Sequence, residues 1–490
     1  LAYPTEGHVA LLQEILDRDR PSADHTAVFY RDPQINEQTP PPVDLPNVVF
    51  PYLKMGHLRT GENGRGSLLH LNAADHAVHH HYDGLGLTYW KDGHELLSDL
   101  GYLWDHQDKH ETMRTAVHNL VVVDGRNQCG RNERTGAFDL FSVTRTLSAM
   151  EATSNAYGDA GVYRRTCVQI DHGEAGSYVL DIFRATCENR ADYIFHGPNQ
   201  DYRVSGLSLS EAADPSEQVA VNKEGPDLTN LRQGDSAEDW SIKWSLAEGY
   251  TFQVCVPGSK SEAVFVGDGW GQRDHKNTDV GARLPYVIRR VEGDGRPEAF
   301  VTAFAGCQGD QTLVRSVRVL PLPNNAPSGT VAVAVDTSQG TDVVLSVLEP
   351  TPVTVSTDLG ELAADGRLVV VRSSSNSPTS ILHVGGANLT LAGTEITSPK
   401  GILSGRILGN GSEPGASWFD LDAAADTLKT LVGETLFVTA EDGPHGYTMR
   451  DITGHDSGTR VFTKQNYVGF EARPAERWDI PVTSYWEREL

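Results

Sequence analysis

From Val48 onward the chain is a succession of short apolar runs separated by turn residues. Residues 120–124, 178–183 and 251–256 are examples rich in β-branched or aromatic side chains, and Gly, Asp, Asn and Pro recur between such runs. Runs of this kind are typical of strands, and their succession predicts an all-β fold with many turns. We find no repeat of fixed period along the chain.

Residues 8–18 show the clearest helical period near the start, with apolar side chains three and four positions apart and Pro21 after them. A lone amphipathic helix cannot bury its apolar face. We therefore expect this segment to be the last helix of a helical domain that lies upstream. The proline-rich residues 39–46 follow and predict an extended linker.

A second proline-rich segment, residues 320–327, interrupts the strand pattern, which resumes at Val331. We predict three parts: a helical remnant and linker over 1–46, a large antiparallel β-sandwich over 47–335, and a smaller C-terminal β domain over 336–490. A chain of 490 residues is too long for one ordinary core, which agrees with this division.

Composition narrows the classes of function. The formal net charge of −25 argues against a large basic face for nucleic acid, so a polyanionic ligand would have to meet a local cluster of Arg, Lys and His. No apolar stretch approaches the ~20 residues that span a membrane. The 5 cysteines are dispersed and odd in number, which disfavours a dense disulfide framework.

Histidine and aspartate are concentrated near the start of the strand-rich region. A strand over 79–85 would place His79, His81 and Asp83 on one face, because successive side chains point to opposite faces. Asp99 and His118 follow, each at or near the end of a predicted strand. Two imidazoles and a carboxylate in one row suit a functional site better than a core, and three such strands can bring these groups together.

An ordered set of segments here resembles the β domain of heparinase II/III-like polysaccharide lyases. The family pattern is His-x-His-x-Asp, an apolar strand, Asp-x-Gly, and then Ala-His-Asn before a strand that ends in Asp-Gly. The matching segments are 49–51, 57–60, 79–85, 93–102 and 114–125. Val117 replaces the usual alanine before His118, which is a mild departure.

The resemblance implies a catalytic role for His79 and a metal site, usually zinc, formed by His81, Asp99 and His118. The ion would be structural and would fix the strand that carries His79. Family members also carry an N-terminal (α/α) toroid that supplies a catalytic tyrosine, and the substrate lies between toroid and sandwich. We expect this toroid on an upstream segment or a companion chain.

The activity implied is β-elimination on a uronate-containing glycan, of the alginate type or a glycosaminoglycan, in the periplasm or outside the cell. Tyr102, Arg114 and His196 are candidate substrate-binding residues. Each has a plainer alternative: a packed aromatic ring, an arginine paired between strands, and a hydrogen-bonded loop histidine. Two other functions stay open, uronyl C5 epimerisation and non-catalytic glycan binding.

Overall fold

The computed structural model describes most of the chain from residue 46 onward. The described ranges are 46–61, 66–74, 81–101, 103, 106–130, 134–158, 161–212, 228–259, 261–274, 276–375, 377–397, 401–413, 416–441, 443–455, 458–464 and 475–487. The predicted helix at 8–18, the linker before residue 46, His79 and Tyr102 lie outside these ranges. The structural statements below concern the described residues.

Strands make up most of the structure. The first nineteen are β1 Val48–Phe50, β2 Met55–Thr60, β3 Ser67–Asn72, β4 Gly86–Lys91, β5 His94–Leu97, β6 Leu120–Val123, β7 Gly136–Val143, β8 Leu147–Ser154, β9 Tyr163–Asp171, β10 Ser177–Thr186, β11 Arg190–His196, β12 Tyr202–Ser205, β13 Ser210–Glu211, β14 Thr229–Asp235, β15 Trp240–Ser245, β16 Tyr250–Val256, β17 Glu262–Trp270, β18 Arg283–Glu292 and β19 Pro297–Gln308.

Sixteen further strands follow in the described residues. They are β20 Val314–Val319, β21 Val331–Thr337, β22 Thr341–Ser346, β23 Val353–Thr357, β24 Gly360–Ala364, β25 Leu368–Ser374, β26 Ser377–Val384, β27 Asn388–Leu391, β28 Thr394–Thr397, β29 Ile402–Glu413, β30 Ala416–Leu421, β31 Thr435–Ala440, β32 Gly443–His455, β33 Gly458–Thr463, β34 Ala475–Pro481 and β35 Thr483–Glu487. Helical elements are short: the α-helix α1 spans Ala425–Lys429, and 3-10 turns span Glu111–Met113, Thr115–Val117, Gly173–Ala175 and Ala247–Gly249.

These strands form five sheets and a barrel. Sheet A has the order β1-β2-β3-β4-β5, sheet B β13-β14-β17-β18-β11-β6, and sheet C β12-β15-β16-β19-β10-β9-β8-β7. Sheet D has the order β20-β21-β22-β25-β26-β35, sheet E β23-β24-β27-β28, and the closed barrel β29-β30-β33-β32-β31-β34. Each neighbouring pair of strands in sheet A is antiparallel, from β1 with β2 to β4 with β5.

The sheets stack in layers, with a separate hydrophobic core between each pair. Sheets A and B face one side of sheet C, sheet D covers its other side, and sheet E covers sheet D. Sheets C and D are therefore buried on both faces. Strand β21 shows why the sequence suits this position, since Val333 packs toward sheet C and Ala332 and Ala334 toward sheet E. Short continuous apolar runs are typical of strands buried on both faces.

The prediction of an all-β fold is confirmed, but the sheet boundaries differ from the predicted division. Residue 335 lies inside β21, which pairs with β20 and β22 in one continuous sheet. The proline-rich residues 320–327 form the loop between β20 and β21, so they turn the chain within sheet D. Within the ranges described above, no helix is both long and apolar enough to cross a membrane.

Candidate metal centre and active site

Three loops at the junction of sheets A and B carry the predicted metal ligands. His81 precedes β4, Asp99 follows β5, and His118 lies between the 3-10 turn at Thr115–Val117 and β6. The prediction of a strand over 79–85 is wrong for residues 81–85, which the structure describes, because β4 begins only at Gly86. Leu85 has a φ of 66°, outside the range of extended strand, and the Gly86 N–H donates to the Asp83 carbonyl at 2.7 Å.

The structure brings these three side chains together. One ligand atom from each of His81, Asp99 and His118 lies within 4.8 Å of the others. Asp99 Oδ1 lies 2.7 Å from His118 Nδ1, and the two imidazole rings are 5.2 Å apart between centroids. His81 and His118 are buried, whereas Asp99 keeps partial contact with solvent. Two imidazoles and one carboxylate at this spacing could hold one divalent ion.

The electrostatics favour an ionised carboxylate in this triad. Loss of water acts to raise the pKa of Asp99, but the adjacent His118 and His81 and the Leu100 N–H outweigh it and hold that pKa well below its usual range. Burial acts to lower the pKa of His118, but Asp99 outweighs it and the net direction is upward. His118 Nε2 is buried without a hydrogen-bond partner among the described residues, and a buried polar atom left in that state is unfavourable. The donor set therefore fits a bound cation.

One amide side chain fixes the relative positions of the loops. Asn119 Nδ2 donates to the Leu87 carbonyl at 3.0 Å and to the Ser98 carbonyl at 2.7 Å. Its Oδ1 accepts the His196 N–H at 3.0 Å. Asn119 directly follows His118, so these bonds connect the His118 loop with β4, with the residue before Asp99 and with the end of β11.

A buried arginine supports this arrangement from sheet C. Arg165 Nη1 donates to the Asn119 carbonyl at 2.6 Å and to the Leu85 carbonyl at 2.7 Å. Asp181 accepts two hydrogen bonds from the same guanidinium, at 2.8 and 2.7 Å, and a third from the Tyr193 hydroxyl. Because the buried charge is paired and its hydrogen bonds are made, the guanidinium can hold two loop carbonyls in place.

The loop that carries His81 has its own support. Gln128 exchanges two hydrogen bonds of 2.8 Å with the backbone of Gly84, and its N–H donates to Thr115 Oγ1. Arg134 donates to Gln128 Oε1 at 2.7 Å and to the His81 carbonyl at 3.4 Å. The loop is therefore positioned by side chains from beyond β6.

The predicted substrate-binding residues have different outcomes. His196 is fully buried, with Nδ1 3.4 Å from Ser98 Oγ, and burial lowers the pKa of its ring to about 4. A buried neutral ring does not reach a polysaccharide, so its predicted substrate contact is not supported. Arg114 pairs with Glu111 at 2.9 Å beside the 3-10 turns. His79 and Tyr102 lie outside the described residues, and their roles stay predictions.

Sequence reasoning missed a second pair of histidines beside the triad. His57 Nε2 and His70 Nδ1 lie 2.9 Å apart on neighbouring strands of sheet A. Burial and the neighbouring His57 lower the pKa of His70 to about 4, so the ring is neutral near pH 7. The available signal was alternation, because His57 directly precedes the buried Leu58 and His70 lies between the buried Leu69 and Leu71 in the sequence.

Part of the chain matches a known protein family. Residues 56–270 match the family model described as Heparinase II/III-like, C-terminal. No curated protein sequence matches the chain.

Two solved structures align with part of the chain. A heparinase III gene product aligns with a TM-score of 0.48 and 11% identity, over 68% of this chain and 46% of that chain. The heparan sulfate lyase HepC from Pedobacter heparinus aligns with a TM-score of 0.48 and 10% identity, over 71% of this chain and 49% of that chain. The chain thus spans about half the length of these structures.

The family match begins in β2 and ends with β17, so it includes the triad loops and most of sheets A, B and C. The predicted resemblance is confirmed over this region, because residues 56–270 match the family model of the heparinase II/III-like C-terminal domain.

Proposed function

We propose that the protein is a polysaccharide lyase that cleaves a uronate-containing glycan by β-elimination. The observation that carries the proposal is the approach of His81, Asp99 and His118 to within 4.8 Å in a heparinase II/III-like domain. The triad loops are held by Asn119 and by buried Arg165, and catalytic and binding groups need such fixed positions.

β-Elimination removes the C5 proton of the uronate and breaks the C4–O4 bond of the same ring, so that O4 leaves with the neighbouring sugar and takes up a proton. We assign proton transfer to His79, which lies two residues before His81 in the sequence. An imidazole with a pKa near 6.5 can accept or deliver a proton near neutral pH. Asp99 and the two buried histidines then act as positioning residues for the loop that carries His79.

We further propose that His81, Asp99 and His118 hold one divalent ion, zinc in preference. When bound, the ion would supply fixed positive charge and hold the three loops together. Elimination needs no activated water, so the proposed role is structural. The proposal also includes an (α/α) toroid, on an upstream segment or a companion chain, that closes the substrate cleft in the periplasm or outside the cell.

The test is digestion of a panel of uronate glycans by the whole native protein: alginate, hyaluronan, chondroitin sulfate and heparan sulfate. Elimination leaves a 4,5-unsaturated uronate whose ultraviolet absorbance rises with time, and mass spectrometry of the products identifies the cleaved linkage. Solvent deuterium at C5 of intact polymer, without new absorbance, would show epimerisation and contradict the lyase. Binding without any covalent change would contradict both.

A further inference from the structure

The outer face of sheet A lies directly beside the triad. This face consists of His57, Arg59, Leu68, His70, Thr88, Trp90 and Glu95, which occupy paired positions on β2 to β5. The residues that alternate with them, including Leu69, Leu87 and Tyr89, are buried against sheet C. Alternation thus separates an inner apolar face from an outer face that contains histidine, arginine and tryptophan.

The triad opens onto this face through a small pocket. His70 and Thr88 line a cavity of about 40 Å³ together with Asp99 and His118. Thr88 lies on the same strand as Trp90, two positions away on the same side, which corresponds to about 6.6 Å along the strand. A sugar chain that approaches this pocket along β4 passes beside Trp90.

Trp90 is exposed on its strand, at 44% of its surface. The pairing of β4 with β5 shifts register here, with Tyr89 opposite Leu97 and Trp90 opposite Glu95. This bulge places the extra residue, Leu96, in the core and leaves Trp90 and Glu95 outward. Bulges re-aim side chains and are frequent next to active sites.

Arg273 adds a cation to the same face from the loop after β17. Its Nη1 donates to Glu95 Oε2 at 2.7 Å, and its carbonyl lies against Gly101, two residues after Asp99. Nε and Nη2 of Arg273 make no hydrogen bond with any described residue. Glu95, which is paired with Trp90 across β4 and β5, holds the guanidinium and leaves two of its donor groups for a ligand.

We propose that Trp90 and Arg273 form a subsite for one anionic sugar of the substrate; this inference rests on the proposed lyase function. The indole covers the apolar face of a pyranose ring, and the guanidinium binds its carboxylate or sulfate with two parallel hydrogen bonds. A chain with a net charge of −25 needs such a local cation to attract a polyanion. An aromatic ring and an arginine on one exposed face fit an acidic saccharide better than an uncharged one.

The test is calorimetric titration of the whole protein with a mannuronate tetrasaccharide, a heparan sulfate tetrasaccharide and uncharged cellotetraose. His79→Ala is used as background so that turnover does not interfere. Arg273→Gln should weaken acidic tetrasaccharide binding on the order of tenfold, the effect of losing a charged hydrogen-bonded contact. Trp90→Ala should weaken it about two- to tenfold, and Trp90→Phe should recover part of the loss.

Two matched variants serve as controls. Trp486→Ala removes a tryptophan of similar exposure, 41%, from β35, and Arg145→Gln breaks another exposed arginine–glutamate pair, with Glu487. Both should bind the tetrasaccharides as the background protein does. The tetrasaccharide that binds identifies the anion that the subsite recognises. Binding of the mannuronate tetrasaccharide would show that a carboxylate suffices, whereas binding of the heparan sulfate tetrasaccharide alone would indicate a sulfate.

Unchanged binding in both Trp90→Ala and Arg273→Gln would overturn the subsite, even if the protein proves to be a lyase. Equal losses for cellotetraose and the acidic sugars would also overturn it, because the arginine would then have no selective role. Loss of association with a helical domain, without loss of sugar binding, would make this face a protein interface instead. Selective loss of acidic-sugar binding in a protein that cleaves nothing would retain the subsite and remove only the lyase.

Discussion

Replacement of Asn119 by alanine should destabilise the fold and loosen the triad at once. Asn119 is 3% exposed and makes three hydrogen bonds with backbone groups of Leu87, Ser98 and His196. A buried backbone group that loses its partner costs about 1–3 kcal/mol. Water that enters the space left by the amide can replace part of these hydrogen bonds. We therefore expect the free energy of unfolding to fall by about 3–5 kcal/mol.

The assay is urea denaturation followed by tryptophan fluorescence, with bound metal measured on the same preparations. Asn199→Ala is the control at a less buried position, where the amide donates to the Ser245 carbonyl at 2.8 Å and accepts the Asp201 N–H at 2.8 Å. The control should stay within about 1 kcal/mol of the unmodified protein. A loss below about 1 kcal/mol for Asn119→Ala, with full metal content, would refute the view that this amide holds the three loops.

Three further predictions concern the metal, the catalytic base and pH. His118→Ala should abolish stoichiometric zinc in elemental analysis of protein purified without chelators, and an unmodified protein without metal would contradict the proposed site. His79→Ala should reduce eliminative turnover on the order of 10²–10⁴-fold with metal retained, whereas His80→Ala should keep most activity; equal rates would remove His79 from the mechanism. Burial raises the pKa of Glu434 to about 7 in spite of the hydrogen bond from Thr483, so the folded state holds a proton that the unfolded state releases near its ordinary value of 4.5. This contribution to stability is complete below pH 4.5 and is lost as pH rises through about 7, so Glu434→Gln should be more stable than the parent at pH 8 by about 1–3 kcal/mol, and equal pH dependence in urea titrations would contradict it.

The family motif selected the three triad residues, and alternation of buried and polar residues marks the inner face of sheet A. Leu58, Leu69 and Leu71 mark inner faces by their spacing, and the family motif selected His81 and Asp99 from the many acidic and histidine residues. The error at 79–85 has a local cause. Apolar residues that follow a histidine run favour a strand by pattern, whereas the positive φ of Leu85 depends on the turn closed by Gly86.

The support of the site could not be read from the sequence, because each contact joins distant segments. Arg165 reaches the loop carbonyls of Leu85 and Asn119 from the middle of sheet C, and Arg273 reaches Glu95 from the loop after β17. A single sequence gives no register between such strands. An arginine in a strand pattern looks the same whether it is buried and paired or exposed.

The pairing of β26 with β35 has a consequence for synthesis of the chain. Strand β26 is made before the barrel, but its partner β35 emerges only after the barrel strands. Until then Ile381, Leu382 and Val384 lie on an open strand edge, which is a template for pairing with other chains. A chain truncated before Thr483 should therefore aggregate through this edge even when every site residue is present.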